Sequence, residues 1–246
     1  QALGHIYVCG GWDGERSLNT VERFNPKAQT WEAVAPMGQF RFAASGDTLN
    51  DHICVCGGWD GVRALDTAER FDPRAGVWEA LPHMLQRRAH AAAVSIGGHL
   101  YLCGGWDGNV ALDLAERLDA RTGQWEALPA LSQRLSRPSA AIVEGCVYVC
   151  GGWVGQQAVP TIEVFNPNIP GATWSIETAM PQGRAGAAAL GAAGCLYICG
   201  GWDGKECVDS VDCYGPTSGG GGKCWTVMPP LACRRRGAGA VVGYKD

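Results

Sequence analysis

Arginine and tryptophan are the residues of this chain whose chemistry and spacing point most directly to recognition. Of the 20 basic residues only four are Lys. Arg41, Arg88, Arg137, Arg184 and Arg236 recur at intervals along the sequence, with Arg87, Arg134, Arg234 and Arg235 beside them. A guanidinium presents a planar fork of donors that fits a carboxylate. Trp12, Trp59, Trp106, Trp153 and Trp202 each follow a Gly pair, a loop position free to face solvent. Arg and Trp dominate binding hot spots, because each supplies large contact area or forked hydrogen bonds. These ten residues are the candidate partner-binding set, and the Arg content predicts a protein or peptide ligand with acidic character. The Asp of each Trp-Asp-Gly (Asp13, Asp60, Asp107, Asp203) reads as a turn former, since Asp-Gly suits tight hairpins. Repeat four has Val154 there instead.

Catalysis has little to stand on. The five His are scattered: His5 and His52 open strands, His99 sits in a turn and His83 lies near the end of a repeat. Only His90, beside Arg88, is placed to point inward, and one His makes no metal site. No nucleophile has a base and an orienting acid at recognisable spacing. The expectation is therefore no catalytic residue, no metal and no cofactor. Of 12 Cys, five occupy one equivalent position (Cys9, Cys56, Cys103, Cys150, Cys199). Copies of one position rarely meet at bonding distance, so they read as small buried apolar residues of a reducing compartment. Cys207, Cys213, Cys224 and Cys233 crowd the last repeat, and a local disulfide or redox role is the alternative reading there.

The elements that carry the Arg and Trp form an internal repeat. The stretch Ile6 to Gly14 returns at Ile53, Leu100, Val147 and Leu196, and its Gly pairs begin at 10, 57, 104, 151 and 200. A second Trp follows each pair by 20 or more residues, at Trp31, Trp78, Trp125, Trp174 and Trp225. Periods of this length mark stacked or radial repeat folds. Within one repeat, Arg41 to Ser45 begins a strand, Asn50-Asp51 turns, and His52 to Cys56 is a β-branched strand. Thr67 to Phe71 alternates as a third, Asp72-Pro73 stops it, and Val77 to Leu81 makes the fourth. Four-stranded sheets at a fixed period bury their faces against one another, which radial repetition achieves.

The apolar strand ending in Gly-Gly, the strand Val21-Glu22-Arg23-Phe24-Asn25-Pro26 and the Trp a few residues later resemble the kelch repeat. The Trp-Asp pair follows Gly-Gly instead of closing a strand, unlike the WD40 pattern. The resemblance implies an all-β, five-bladed kelch β-propeller of four-stranded antiparallel blades. Blade 1 comprises 1–37 plus a closing strand in 236–246, blade 2 is 38–84, blade 3 is 85–131, blade 4 is 132–180 and blade 5 is 181–231. Closure in that manner is similar to the kelch domains of BTB-Kelch ubiquitin-ligase adaptors, which usually have six blades; a truncated six-bladed ring is the alternative. Small inner-strand residues such as Ala91-Ala92-Ala93 and Ala187-Ala188-Ala189 favour five, since fewer blades crowd the axis.

By the same resemblance, the domain is expected to be a substrate receptor of a cullin-based ubiquitin ligase, reached through a region absent from this chain. The alternative is a scaffold or actin-associated kelch protein; a copper-oxidase-like kelch enzyme is disfavoured by the scattered His. A net charge of −4 argues against nucleic acid. No apolar run long enough to span a bilayer occurs, and with the reducing use of Cys the expected location is cytoplasmic. Gln1 already lies in a strand pattern without an initiator Met, which reads as a domain cut from a longer chain. The Gly-rich stretch 214–223 reads as a linker-like turn between strands three and four of the last repeat.

Overall fold

The computed structural model describes residues 4–216 and 222–239. Every regular element among them is a β-strand. The chain divides into two compact units, Gln1–Val110 with Ala115–Leu128, and Ala111–Leu114 with Pro129–Asp246.

The first unit holds three antiparallel sheets. Strands β1 (Ile6–Trp12), β2 (Ser17–Asn25) and β3 (Thr30–Val34) pair in that order. The second sheet runs β4 (Ser45–Leu49), β5 (His52–Cys56), β6 (Ala68–Asp72), β7 (Val77–Leu81). The third repeats it with β8 (Ala92–Ile96), β9 (His99–Cys103), β10 (Ala115–Asp119) and β11 (Trp125–Ala127). Four-stranded antiparallel repeats are thus observed. The expected closing strand beside β1 falls largely on 240–246, outside the described residues, and 236–239 form no strand.

Side chains alternate across a strand, so the second strand of a repeat is apolar throughout because both its faces are covered. Ile53 and Val55 of β5 pack with Val21, Met37 and Phe71, and Tyr7 and Cys9 of β1 lie against this cluster. Cys54 and Cys56 point the other way, into Leu100, Leu102 and Leu118 of the next sheet. Cys56 and Cys103 are buried in such positions, as the sequence predicts. Cys9 and Cys199 are only half-buried.

The second unit holds β12 (Ser139–Val143), β13 (Cys146–Cys150), β16 (Ile162–Phe165) and β17 (Ser175–Ile176) in one sheet. A separate hairpin, β14 (Trp153–Val154) and β15 (Gln157–Ala158), carries the loop of repeat four. The last sheet runs β18 (Ala188–Ala192), β19 (Cys195–Cys199), β20 (Val211–Pro216), β21 (Lys223–Met228). Tyr148, Cys150 and Ile162 of one sheet meet Leu196, Ile198 and Tyr214 of the other in a common core. Strands β12 and β18 approach so closely that a Cβ on Gly191 would strike the Ile142 carbonyl.

The second Trp of the repeat ties neighbouring repeats together. Its indole N–H donates to a carbonyl of the preceding repeat: Trp78 to Ala35 at 2.8 Å, Trp125 to Pro82 at 2.9 Å, Trp174 to Pro129 at 2.8 Å and Trp225 to Thr178 at 3.3 Å. A ring that buries its apolar body and satisfies its one polar atom suits such a seam.

Candidate functional site

The Gly pair and the Arg that follows it in the next repeat form one device. Gly57 has φ 63° and its missing side chain makes room for the Arg88 carbonyl, against which a Cβ would collide. That carbonyl accepts the Gly58 N–H at 2.8 Å, as the Arg41 carbonyl accepts Gly11 and the Arg184 carbonyl accepts Gly152, each also at 2.8 Å. The side chain then turns inward. The Arg41 guanidinium donates to the Gly57 carbonyl at 2.6 Å, the Thr67 carbonyl at 3.0 Å and Glu69 Oε1 at 2.7 Å. Arg88 repeats this with Gly104 and Glu116, and Arg184 with Gly200, Ser210 and Asp212.

Arg41, Arg88 and Arg184, expected in the partner-binding set, are instead drawn into the interior. They are 0 %, 2 % and 2 % exposed, and each guanidinium donates to a backbone carbonyl and pairs with a buried carboxylate. A charge withdrawn from water stays ionised only with such partners.

Arg137 and Arg236 sit differently. The register of the carbonyl contacts makes Leu135 and Arg235 the counterparts of Arg41, so Arg137 lies two residues past the buried position and Arg236 one past it. Both are exposed. Arg137 takes a left-handed backbone, φ 56°, and its carbonyl accepts the Gly186 N–H at 2.8 Å. Arg236 lies over the Trp202 ring, 4.9 Å from its centroid, a cation–π contact. Partial burial, then the Arg236 charge, lowers the Arg137 pKa. Among the described residues neither guanidinium forms an ion pair with a carboxylate. By contrast Arg87 pairs with Asp66, Arg134 with Asp113 and Arg234 with Glu206.

The loops after the Gly pairs carry the other candidates. In the first unit Trp12 is 48 % exposed and touches Phe42 at 6.0 Å, Phe42 meets His90 edge-on at 5.6 Å, and Trp59 stacks on Trp106 at 5.5 Å. In the second unit Trp153 donates to the Gly155 carbonyl at 2.9 Å and Trp202 supports Arg236. Asp13, Asp60, Asp107 and Asp203 each accept the N–H groups two and three residues on, closing the turn. Those donated hydrogen bonds hold Asp13 and Asp203 below the ordinary carboxylate range.

A Kelch motif matches residues 3–38, 41–85, 87–132, 134–181 and 183–232. The chain belongs to the Kelch family. Its Kelch repeats mark it as a protein-interaction domain of the β-propeller class. The fold agrees with the solved structure of YjhT at a TM-score of 0.78, over 94% of this chain and 85% of that one, at 13% identity. Kelch-like protein 35 of mouse and of human are each 47% identical over 34 residues, 14% of this chain and 6% of the relative.

The Kelch pattern also explains acids that carried no functional expectation. Glu69, Glu116 and Asp212 stand 28 residues after Arg41, Arg88 and Arg184 and neutralise them. In Kelch repeat four, where Leu135 replaces the Arg, Glu163 instead accepts the Ser132 N–H and hydroxyl, both at 2.9 Å. The recurrence of an acid at that spacing was the available signal.

Proposed function

We propose that this Kelch domain recognises an acidic segment of a protein partner on Arg137 and Arg236, with Trp202 as the apolar surface beside them. The observation that carries the reading is the proximity of two exposed Arg residues, whose backbones are linked through Gly186 (its N–H donates to the Arg137 carbonyl at 2.8 Å and its carbonyl accepts the Gly237 N–H at 2.7 Å), with neither guanidinium in an ion pair among the described residues. Like charges repel, and a carboxylate bridging them would relieve that repulsion while accepting forked hydrogen bonds. Trp153 of the same unit is proposed as a further aromatic contact, and Trp12, Trp59 and Trp106 as a separate aromatic set on the first unit. Its place in the cell is taken as a reducing compartment, the cytoplasm, a reading supported by twelve free thiols.

The specific role proposed is substrate receptor of a cullin-based ubiquitin ligase. Its support is the resemblance to BTB-Kelch adaptors and the short likeness to Kelch-like protein 35. The ring is taken to close with five blades, a reading supported by five motif matches and by the small inner-strand residues.

Peptide display on the purified domain tests the recognition reading, run beside a double variant carrying Arg137→Asn and Arg236→Ser. Asn tolerates the left-handed backbone at 137. Enrichment of an acid-containing motif that the folded variant loses supports it. Identical peptides from both proteins would overturn it.

A further inference from the structure

The last sheet carries three thiols that the repeat pattern does not account for. In the first three repeats one row of the sheet is an Arg–Glu pair across the third and fourth strands: Arg23–Glu32, Arg70–Glu79 and Arg117–Glu126. In the last repeat that row is Cys213 opposite Thr226. Two rows on, Gly215 pairs with Cys224, and Cys195 lies on its other side, next after the Leu196–Tyr214 pair. Side chains two apart on a strand, and those directly opposite, share a face. Cys195, Cys213 and Cys224 therefore crowd one face around a residue without a side chain.

Gly215 decides how they meet. The Cys195 Sγ occupies the space that a Cβ on Gly215 would fill, so the sulfur is drawn over β20. Cys213 lies two residues before Gly215 on the same face of β20, and Tyr197 pairs with Cys213 across the ladder. Cys195 and Cys213 are half-buried and Cys224 is exposed. No group of three such ligands is close enough to hold a metal ion among the described residues. The unit is a pair.

We propose that Cys195 and Cys213 form a peroxide-responsive thiol pair that closes to a disulfide and ties β19 to β20. The Cys213 thiolate attacks one oxygen of a hydroperoxide; the O–O bond breaks, and the leaving oxygen takes up a proton as water or alcohol. Cys195 sulfur then attacks the sulfenic acid on Cys213. The S–S bond forms, the S–O bond breaks, and hydroxide leaves with the Cys195 proton as water. Two thiols are oxidised and one peroxide is reduced, which is the ordinary sulfenate route to a disulfide. Burial raises the Cys213 pKa, so the step is faster at alkaline pH. The new bond closes the segment that carries Trp202.

The test treats the full chain with one equivalent of hydrogen peroxide and then blocks free thiols with N-ethylmaleimide. Non-reduced peptides are sequenced by tandem mass spectrometry. A Cys195–Cys213 link, a loss of two thiols and reversal by dithiothreitol are expected. Cys224→Ser keeps the link, whereas Cys195→Ala and Cys213→Ala, each shown folded by its thermal melt, lose it. A disulfide joining other residues, or oxidation of Cys213 to a sulfinic acid without a link, would overturn the proposal.

Discussion

Arg41 and Glu69 form an ion pair at 2.7 Å in which the arginine side chain is fully buried and the carboxylate is 9% exposed. The same carboxylate accepts the Gly38 N–H at 2.6 Å through its second oxygen. The pair thus joins the loop entering a repeat to that repeat's third strand, and the Arg carbonyl joins both to the Gly pair of the repeat before.

Arg41→Met leaves the Glu69 charge buried and unmatched, and is expected to destabilise the fold by about 3–5 kcal/mol. The double variant Arg41→Met with Glu69→Leu recovers part of that loss, while Arg137→Asn changes stability little. Urea unfolding of these three proteins, the parent and Glu69→Leu alone measures this. Strict additivity of the two buried substitutions would show that the pair is not coupled.

Trp174→Phe keeps the ring against Phe165 but deletes the N–H donated to Pro129. The expected cost is about 1 kcal/mol, the net value of one such hydrogen bond. An unchanged denaturation midpoint would reduce the Trp seam to apolar packing alone.

Asp47 accepts the Thr48 and Ser95 N–H groups at 2.7 Å each, yet burial, the dominant influence, raises its pKa. The folded form therefore binds its proton at higher pH than the unfolded chain. Its contribution to stability is complete below the unfolded value and is lost as pH rises through the folded one. Asp47→Asn, whose amide oxygen still accepts, should be more stable than the parent at pH 7, with the advantage shrinking toward pH 3. Thermal melts across that range decide the sign.

Burial pushes the Cys9 thiol up to about 12 and Cys54 up to about 11, and raises Cys56 and Cys150 further. Iodoacetamide at pH 8 should label exposed Cys224 and Cys233 first. Cys54, Cys56 and Cys150 should react only on unfolding. Early labelling of Cys56, followed by mass spectrometry, would contradict the packed role of the repeated Cys.

If the proposed ring closes through 236–246, deleting 240–246 leaves β1 with an unpaired edge. A fall in melting temperature and a rise in aggregation are expected, read by scanning calorimetry and light scattering. A truncated chain that melts like its parent would count against closure by that segment.

The sequence alone determined the repeat, its four strands, the Gly pair and the seam Trp, because each follows from local chemistry. Alternation writes the strands, Gly-Gly permits the turn, and a Trp at a fixed spacing has one place to pack. It also identified the turn-forming Asp residues, whose hydrogen bonds reach only two and three residues along the chain. Only the tertiary structure decided which arginines are free. Arg41, Arg88 and Arg184 look no different from Arg137 in type or neighbourhood, but a partner 28 residues away draws their guanidiniums inside. Arg137 and Arg236, shifted from that position by two residues and one, have no such partner among the described residues and stay at the surface. The thiol pair was hidden for the same reason: Cys195 and Cys213 are 18 positions apart in sequence and meet because strand register sets them around the missing side chain of Gly215.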